Sequence, residues 1–229
     1  MSRVSIIIPL HNHEQFVAET LSSALGQTHP DIEVVVVNDA STDSSLRIAR
    51  SYERRGVKVI DYIKNIGLPA ARNVAIRNST GEFVLPLDSD DWIDSRYVEK
   101  TLAKMHDGVG VVATYLEAFG SRPHRVGPPD TFYPIFYPTK EQILAGNCLP
   151  VCSLIRRQTL DDVGGYPEEM REGSEDWALW VKIICKTNWR VEIVPEYLFH
   201  YRTREGSMSR QATMMPFEQA REKIRRLYA

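Results

Sequence analysis

Two short apolar runs, Val4-Ser-Ile-Ile-Ile-Pro-Leu10 and Ile32-Glu-Val-Val-Val-Val37, constrain this chain more than any other feature. A segment that is apolar on consecutive residues has no side to offer to water, so both faces must be covered, as in a parallel sheet. Between the runs, Val17, Leu21, Ala24 and Leu25 share one helical face. Asn12 and Gln15 have the spacing of a capping box, and Gly26 stops the helix. The alternation then repeats. Leu46, Ala49 and Tyr52 mark a helix ended by Gly56, and Val57 to Tyr62 is a third strand. Pro69 to Asn78 is a short helix with proline in its first turn. Glu82 to Leu87 is a fourth strand and runs into Asp88-Ser-Asp-Asp-Trp92. Asp94 is placed to cap a helix through Met105, and Val109 to Phe119 returns as a strand. Strands alternating with helices predict an α/β fold with a mostly parallel, Rossmann-like central sheet flanked by helices.

The pattern breaks at Gly120. Residues 120–139 hold five of the thirteen prolines and keep no periodicity, so a long loop joins two halves there. Thr139 and Gln142 open a short helix as a capping box. Cys152 to Arg156 is a strand, and Glu175 to Lys186 is a helix with Trp177, Trp180, Val181 and Ile184 on its apolar face. Arg190 to Arg202 holds two strand-like segments split around Pro195-Glu196, and the tail from Pro216 is an amphipathic, net-basic helix. The expected organisation is one half over 1–119, a second half of the same domain over 120–209, a smaller mixed subregion, and a C-terminal helix over 210–229.

Composition excludes several classes of function. Lys and Arg number 28 against 30 Asp and Glu, a net charge of -2, so the basic excess of a nucleic-acid binder is missing. No apolar run approaches the ~18 residues of a membrane span, and the N-terminus lacks the apolar stretch of a signal peptide. Three cysteines make a disulfide framework unexpected and point to a reducing, cytoplasmic setting. Cys148, Cys152 and Cys185 lack the partners of a zinc site.

No G-x-G-x-x-G follows the first strand, so a dinucleotide fingerprint is absent. The polar tips instead follow the second and fourth strands, at Asp39 and Asp88, where ligands of open α/β sheets bind. Asp88 and Asp90 lie two apart, which in an extended segment points both carboxylates the same way. That suits a hard divalent cation completed by phosphate and water. The ordinary alternative is a polar turn capping the next helix, a reading that fits Asp91 and Asp94 better. Asp39 can accept from a uracil imide or a sugar hydroxyl, with capping left to Thr42 or Asp43. Glu175-Asp176 opens a helix, where the dipole lowers a carboxyl pKa; one of the pair is a candidate general base. Arg72 can approach phosphate or base. Arg202, Arg204, Ser207 and Ser209 offer hydrogen-bond donors to a diphosphate, or form a basic loop. His200 reads as structural, and Trp177 and Trp180 as core.

Taken together, six segments resemble the family 2 glycosyltransferases, the large group with the GT-A fold. They are Ser5-Ile-Ile-Ile-Pro-Leu-His-Asn12, Val37-Asn-Asp-Ala-Ser-Thr-Asp43, Asn65-Ile-Gly-Leu-Pro-Ala-Ala-Arg-Asn73, Gly81-Glu-Phe-Val-Leu-Pro-Leu-Asp-Ser-Asp-Asp91, Gly173-Ser-Glu-Asp-Trp177 and Tyr201-Arg202. Their order and spacing fit from residue 4 to about 209. The resemblance implies that Asp39 binds the nucleotide base, typically uracil, that Pro9 and His11 shape the wall beside it, and that Arg72 lies near base and ribose. It implies that Asp88 contacts ribose or metal, that Asp90 holds Mn²⁺ or Mg²⁺ on the diphosphate, and that Asp176 deprotonates the acceptor. Arg202 or Arg204 with the following serines would close over the diphosphate.

The implied activity is inverting transfer of a sugar from a nucleoside diphosphate, typically UDP, to a hydroxyl of a glycan or lipid-linked acceptor. The Q-x-x-R-W segment of processive members is absent, which implies one sugar per encounter. The basic tail, with Arg221, Lys223, Arg225 and Arg226, either packs on the domain or touches an anionic membrane surface. A sugar nucleotidyltransferase and a silent nucleotide-sugar-binding module are the alternatives. The first would carry a glycine-rich basic loop where His11-Asn-His-Glu-Gln stands, and the second would have no use for intact Asp39, Asp88, Asp90 and Asp176.

Overall fold

The structure, a computed structural model, describes residues 2–127, 137–205 and 215–228. Its centre is a parallel array of β1 (Val4–Leu10), β2 (Ile32–Asp39), β3 (Val57–Tyr62) and β4 (Phe83–Pro86). Helices α1 (Val17–Leu25), α2 (Ser45–Ser51) and α3 (Leu68–Arg77) make the crossovers. β2 and β4 flank β1, and β3 flanks β2. Every residue of β1 is buried, as its nearly continuous apolar run requires, and the one hydroxyl in it, on Ser5, donates to Glu33 of β2 at 2.6 Å.

The chain then adds β5 (Trp92–Ile93), α4 (Tyr97–Leu102), β6 (Val109–Gly120), β7 (His124–Val126) and α5 (Lys140–Ala145). It continues through β8 (Leu154–Arg156), α6 (Arg157–Val163), α7 (Glu175–Lys186), β9 (Arg190–Thr203) and α8 (Phe217–Tyr228). These strands extend the same sheet in the order β3-β2-β1-β4-β8-β6-β9-β5, with β7 paired to β6. The added part is mixed: β8 runs antiparallel to β4 and β6, β9 parallel to β6, and β5 antiparallel to β9.

Alternate residues of the parallel strands feed two cores. Ile6, Ile8, Val34 and Val36 pack with Val17, Leu21 and Ala24 of α1. Ile7, Val35 and Val37 face Ala71, Val74 and Ala75 of α3 and the apolar side of α7. Trp177 and Trp180 are buried in that second core. The Trp177 indole N–H donates to the Ile143 carbonyl at 2.6 Å, and Phe217 of α8 stacks on its ring at 5.2 Å. Truncating Trp180 to alanine would cost about 3–5 kcal/mol. α8 buries Ala220 and Ile224, and three of its four basic residues have partners: Arg221 on Glu218, Lys223 on the Glu169 carbonyl, Arg226 on Glu222.

Several local expectations change. Asn12 does not cap α1, whose N-terminus at Phe16 has no side-chain cap. Asn12 adopts a left-handed φ of 53°, and its Oδ1 accepts from the Thr42 amide instead. Asp94 does not cap α4, which begins after Arg96; its Oδ1 accepts from the Arg96 amide in the preceding turn. The two segments around Pro195-Glu196 are one strand. The register with β6 steps from Thr114–Val194 to Tyr115–Tyr197, so Pro195 and Glu196 form a bulge. Proline lacks the N–H for the ladder, so a bulge is where a strand tolerates it. The Thr139–Gln142 capping box forms as expected, with both reciprocal hydrogen bonds.

Candidate functional site

The carboxyl ends of β1, β2 and β4 and the N-terminus of α7 supply the site. Three non-glycine residues with left-handed backbone sit there: Asn12 after β1, Ala40 after β2, and Ser174 before α7. Such conformations cost of order 1–3 kcal/mol each and persist where the surroundings fix them.

Asp39 ends β2 and is 4% exposed. Its Oδ1 accepts from the Ile66 amide at 2.6 Å and its Oδ2 from the Gly67 amide at 3.0 Å. Gly67 precedes α3 with a φ of 89°, a conformation glycine reaches without Cβ strain. Asp39 therefore fixes the start of α3 from the end of the strand beside β3, while Asp43 serves α2 by accepting from the Ser45 amide at 2.9 Å. Pro9 is buried in β1 opposite Val37. The exposed ring of His11 places Nδ1 2.6 Å from the Asp39 carbonyl.

From that anchored start, α3 carries Arg72 into the interior. Arg72 is 1% exposed. Its Nη2 donates to Asp88 Oδ1 at 2.6 Å and its Nη1 donates to Glu175 Oε1. The guanidinium lies 5.2 Å from the centre of the Tyr166 ring. Burial works against the charge, but Asp88 and Glu175 outweigh it and hold Arg72 firmly protonated. One helix thus ties the strand end that carries Asp88 to the first turn of α7.

Asp88 to Asp91 form a turn, not an extended segment, closed by the Asp91 amide donating to the Asp88 carbonyl at 3.1 Å. Strand β4 already ends at Pro86, so the expectation that alternate side chains share one side does not hold. Asp88 addresses Arg72, whereas Asp90 Oδ2 accepts from Arg204 Nε at 3.0 Å and lies 3.9 Å from His13 Nε2. Asp91 is buried and its Oδ1 accepts from the Arg202 amide at 2.7 Å. Burial, then the charges of Asp90 and Asp88, push the Asp91 carboxyl well above the carboxylate range. Arg202 is sandwiched between Phe16 and Phe119, with its guanidinium on Glu19 and on the Asp90 carbonyl. Ser207 and Ser209 lie outside the described residues.

Asp176 is the second residue of α7. Its Oδ2 accepts from Asn147 Nδ2 at 3.0 Å and its Oδ1 from the Trp177 amide at 2.7 Å. Burial, then the neighbouring Glu175, push its carboxyl up to about 7. The helix N-terminus was expected to lower it; desolvation and like charge overcome that preference and the pull of Arg72. A carboxyl near 7 exchanges protons at neutral pH, as a general base must. Glu175 is buried and engaged by Arg72.

The structure therefore brings together Arg72, Asp88 and Glu175, adds Asp176 through α7, and groups Asp90 with Arg204. His13, Ser89, Asn147 and Tyr166 were not singled out from sequence. Asn147 follows a glycine in a loop and carries no pattern, and His13 is recognisable only through partners 76 and 191 residues away. His200 stacks on Trp92 at 3.5 Å, the structural role expected, and the cysteines are free.

Among the described residues no three His, Cys, Asp or Glu side chains gather into a complete metal cage. A hard cation shared with a diphosphate needs only one or two carboxylates. Asp88 and Asp90, with side chains 27% and 14% exposed, fit that requirement.

The mostly parallel sheet, with acidic residues beyond its strand ends, has the architecture of the GT-A fold. Residues 5–164 match the model of Glycosyl transferase family 2, and the chain belongs to that family. It is 31% identical over 229 residues to the glycosyltransferase GlyA of Streptococcus pneumoniae, covering 91% of this chain and 32% of that protein. It is 31% identical over 228 residues to the poly(ribitol-phosphate) beta-N-acetylglucosaminyltransferase TarS of Staphylococcus aureus, covering 94% and 38%. The crystal structure of residues 1–349 of S. aureus TarS with UDP-GlcNAc superimposes with a TM-score of 0.81 at 28% identity, over 99% of this chain and 65% of that one. The chain thus spans about a third of the length of these curated relatives. No helix among the described residues is long and apolar enough to cross a membrane.

Proposed function

We propose that this chain transfers one sugar from a UDP-sugar to a hydroxyl of a glycan or lipid-linked acceptor, with inversion, in the synthesis of a cell-envelope polysaccharide. The observation that carries the reading is the tie Asp88–Arg72–Glu175, which sets the raised carboxyl of Asp176 at a fixed place relative to the nucleotide side. The UDP-GlcNAc held by TarS supports the choice of nucleotide.

In this reading the 1–119 half binds the nucleotide sugar and the 120–209 half the acceptor. Asp39, beside Pro9 and His11, receives the base while keeping its two amide contacts, since each carboxylate oxygen has a second lone pair. Asp88, held in place by the buried Arg72, acts on the ribose side, and Arg204, with Arg202 behind it, meets the diphosphate. Asp90 and Asp88 would hold Mn²⁺ or Mg²⁺, which as a Lewis acid supplies charge neutralisation for the departing diphosphate. Asp176 takes the proton of the acceptor hydroxyl as its oxygen bonds to the anomeric carbon from the face opposite the UDP oxygen. The anomeric bond to UDP breaks with its electron pair leaving on the phosphate, and the configuration inverts. A single displacement needs one base, unlike the carboxyl pair of a hydrolase.

The test is calorimetric titration of UDP with and without Mn²⁺, alongside UDP release from UDP-sugars. Metal-assisted UDP binding together with slow UDP release is expected. Binding confined to another nucleotide would overturn the uracil assignment, and binding without any release would favour a silent module.

A further inference from the structure

His13, which the proposed roles above leave unused, stands between Ser89, Asp90 and Arg204. β1 ends at Leu10, and the left-handed Asn12 turns the chain back so that His13 lies over the acidic turn. The His13 amide donates to Ser45 Oγ at 2.8 Å, and its ring meets Phe16 edge-on at 6.0 Å. Its Nδ1 is 2.8 Å from the hydroxyl of Ser89, the residue between Asp88 and Asp90. Its Nε2 receives Nη2 of Arg204, whose Nε donates to Asp90 Oδ2 at 3.0 Å.

A guanidinium only donates, so Nε2 is the unprotonated nitrogen and Nδ1–H donates to Ser89. A carboxylate oxygen and an imidazole lone pair therefore converge on one cation, with side chains only 14% and 18% exposed. The two acceptors are 3.9 Å apart. At ~2.1 Å per bond, two ligands of one ion lie roughly 3 to 4.3 Å apart.

We propose that His13 Nε2 and Asp90 Oδ2 are a two-ligand subsite for the divalent cation, filled by the Arg204 guanidinium until the metal takes its place. Arg204, once displaced, is free to grip the nucleotide's diphosphate. A nitrogen ligand favours Mn²⁺ and later transition metals over Mg²⁺. The proposal rests on the nucleotide-sugar reading of the site but adds a ligand to it.

The test is electron spin-echo spectroscopy of Mn²⁺ on the whole chain with UDP. Wild type should show nitrogen coupling to the Mn²⁺, and His13→Ala should lose it with at least about a tenfold drop in Mn²⁺ affinity. Arg204→Ala should bind Mn²⁺ more tightly without UDP, and bind UDP more weakly. If His13→Ala fails to fold, the wild-type spectrum and Arg204→Ala still decide. A Mn²⁺–UDP complex without nitrogen coupling, or weaker Mn²⁺ binding in Arg204→Ala, overturns the role of His13 and leaves the nucleotide-sugar reading standing. No UDP binding with any metal overturns both.

Discussion

Arg72 and Glu175, 103 residues apart in sequence, form a buried ion pair that fastens the first turn of α7 to the middle of α3. With Asp88 on its other amine, Arg72 serves two carboxylates at once. Removing one partner of a buried ionic group leaves the rest uncompensated. Arg72→Met is expected to destabilise the fold by about 3–5 kcal/mol, read from urea unfolding. Arg72→Lys keeps the charge but loses the fork, so it should recover part of the stability and little turnover. A Met variant as stable as wild type would mean that the trio carries no structural load.

Asp176→Asn should keep UDP affinity and lose turnover, since a base acts on the transition state. The wild-type kcat/KM should rise with pH through about 7, because the proposed base accepts a proton only when deprotonated. Glu175→Gln removes a negative neighbour, so its midpoint should move to lower pH. A profile flat from acid to alkaline pH would exclude Asp176 as the titrating group.

The same carboxyl has a stability signature. Its folded pKa of about 7 lies above the ~3.9 of an unfolded aspartate, so the native state holds the proton more tightly. This group's contribution is fully present below the unfolded value and is lost as pH rises to about 7. Asp176→Asn should therefore match wild type in acid and exceed it at alkaline pH. Thermal melts of both proteins across that range will show whether the difference grows with pH.

Asp39→Ala deprives the Ile66 and Gly67 amides of their acceptor. A loss of about 1–3 kcal/mol is expected, the cost of unsatisfied buried groups, with faster hydrogen exchange at the start of α3 and weaker UDP binding. Asp39→Asn retains one acceptor oxygen and should fall between. Unchanged exchange at residues 66 and 67 would contradict the anchoring role.

Asp90→Ala should abolish the gain in UDP affinity that Mn²⁺ provides while leaving metal-free affinity close to wild type. Equal calorimetric enhancement in both proteins would remove Asp90 from the cation site.

The parallel core was readable because β1 and β2 are covered on both faces and are apolar over most of their length, with the buried Ser5 hydroxyl of β1 satisfied by Glu33 of β2. The acidic positions were readable because Asp39 and Asp88 interrupt those apolar patterns at strand ends. What escaped depended on distant partners. Arg72 sits in an ordinary helical stretch, and its burial follows from carboxylates 16 and 103 residues away. The acidic turn was read as extended because sequence spacing alone cannot show that β4 has already ended at Pro86. The direction of the Asp176 shift was missed because a helix terminus is visible in sequence and a desolvating wall is not.

The order of strands has a geometric outcome for the molecule's shape. β4 and β5 are four places apart in the sheet, roughly 19 Å if it were flat at ~4.8 Å per strand. Only residues 87–91 separate their ends, a reach of at most about 21 Å from Pro86 to Trp92 when stretched. That segment spends its length on a turn, so the sheet must roll up until its far edge meets its middle. Arg202 and Arg204, at the end of β9, are carried back onto the acidic turn by this curvature. The two sides of the site are then margins of one rolled surface, and any tightening or loosening of the roll alters the distance between them without a hinge.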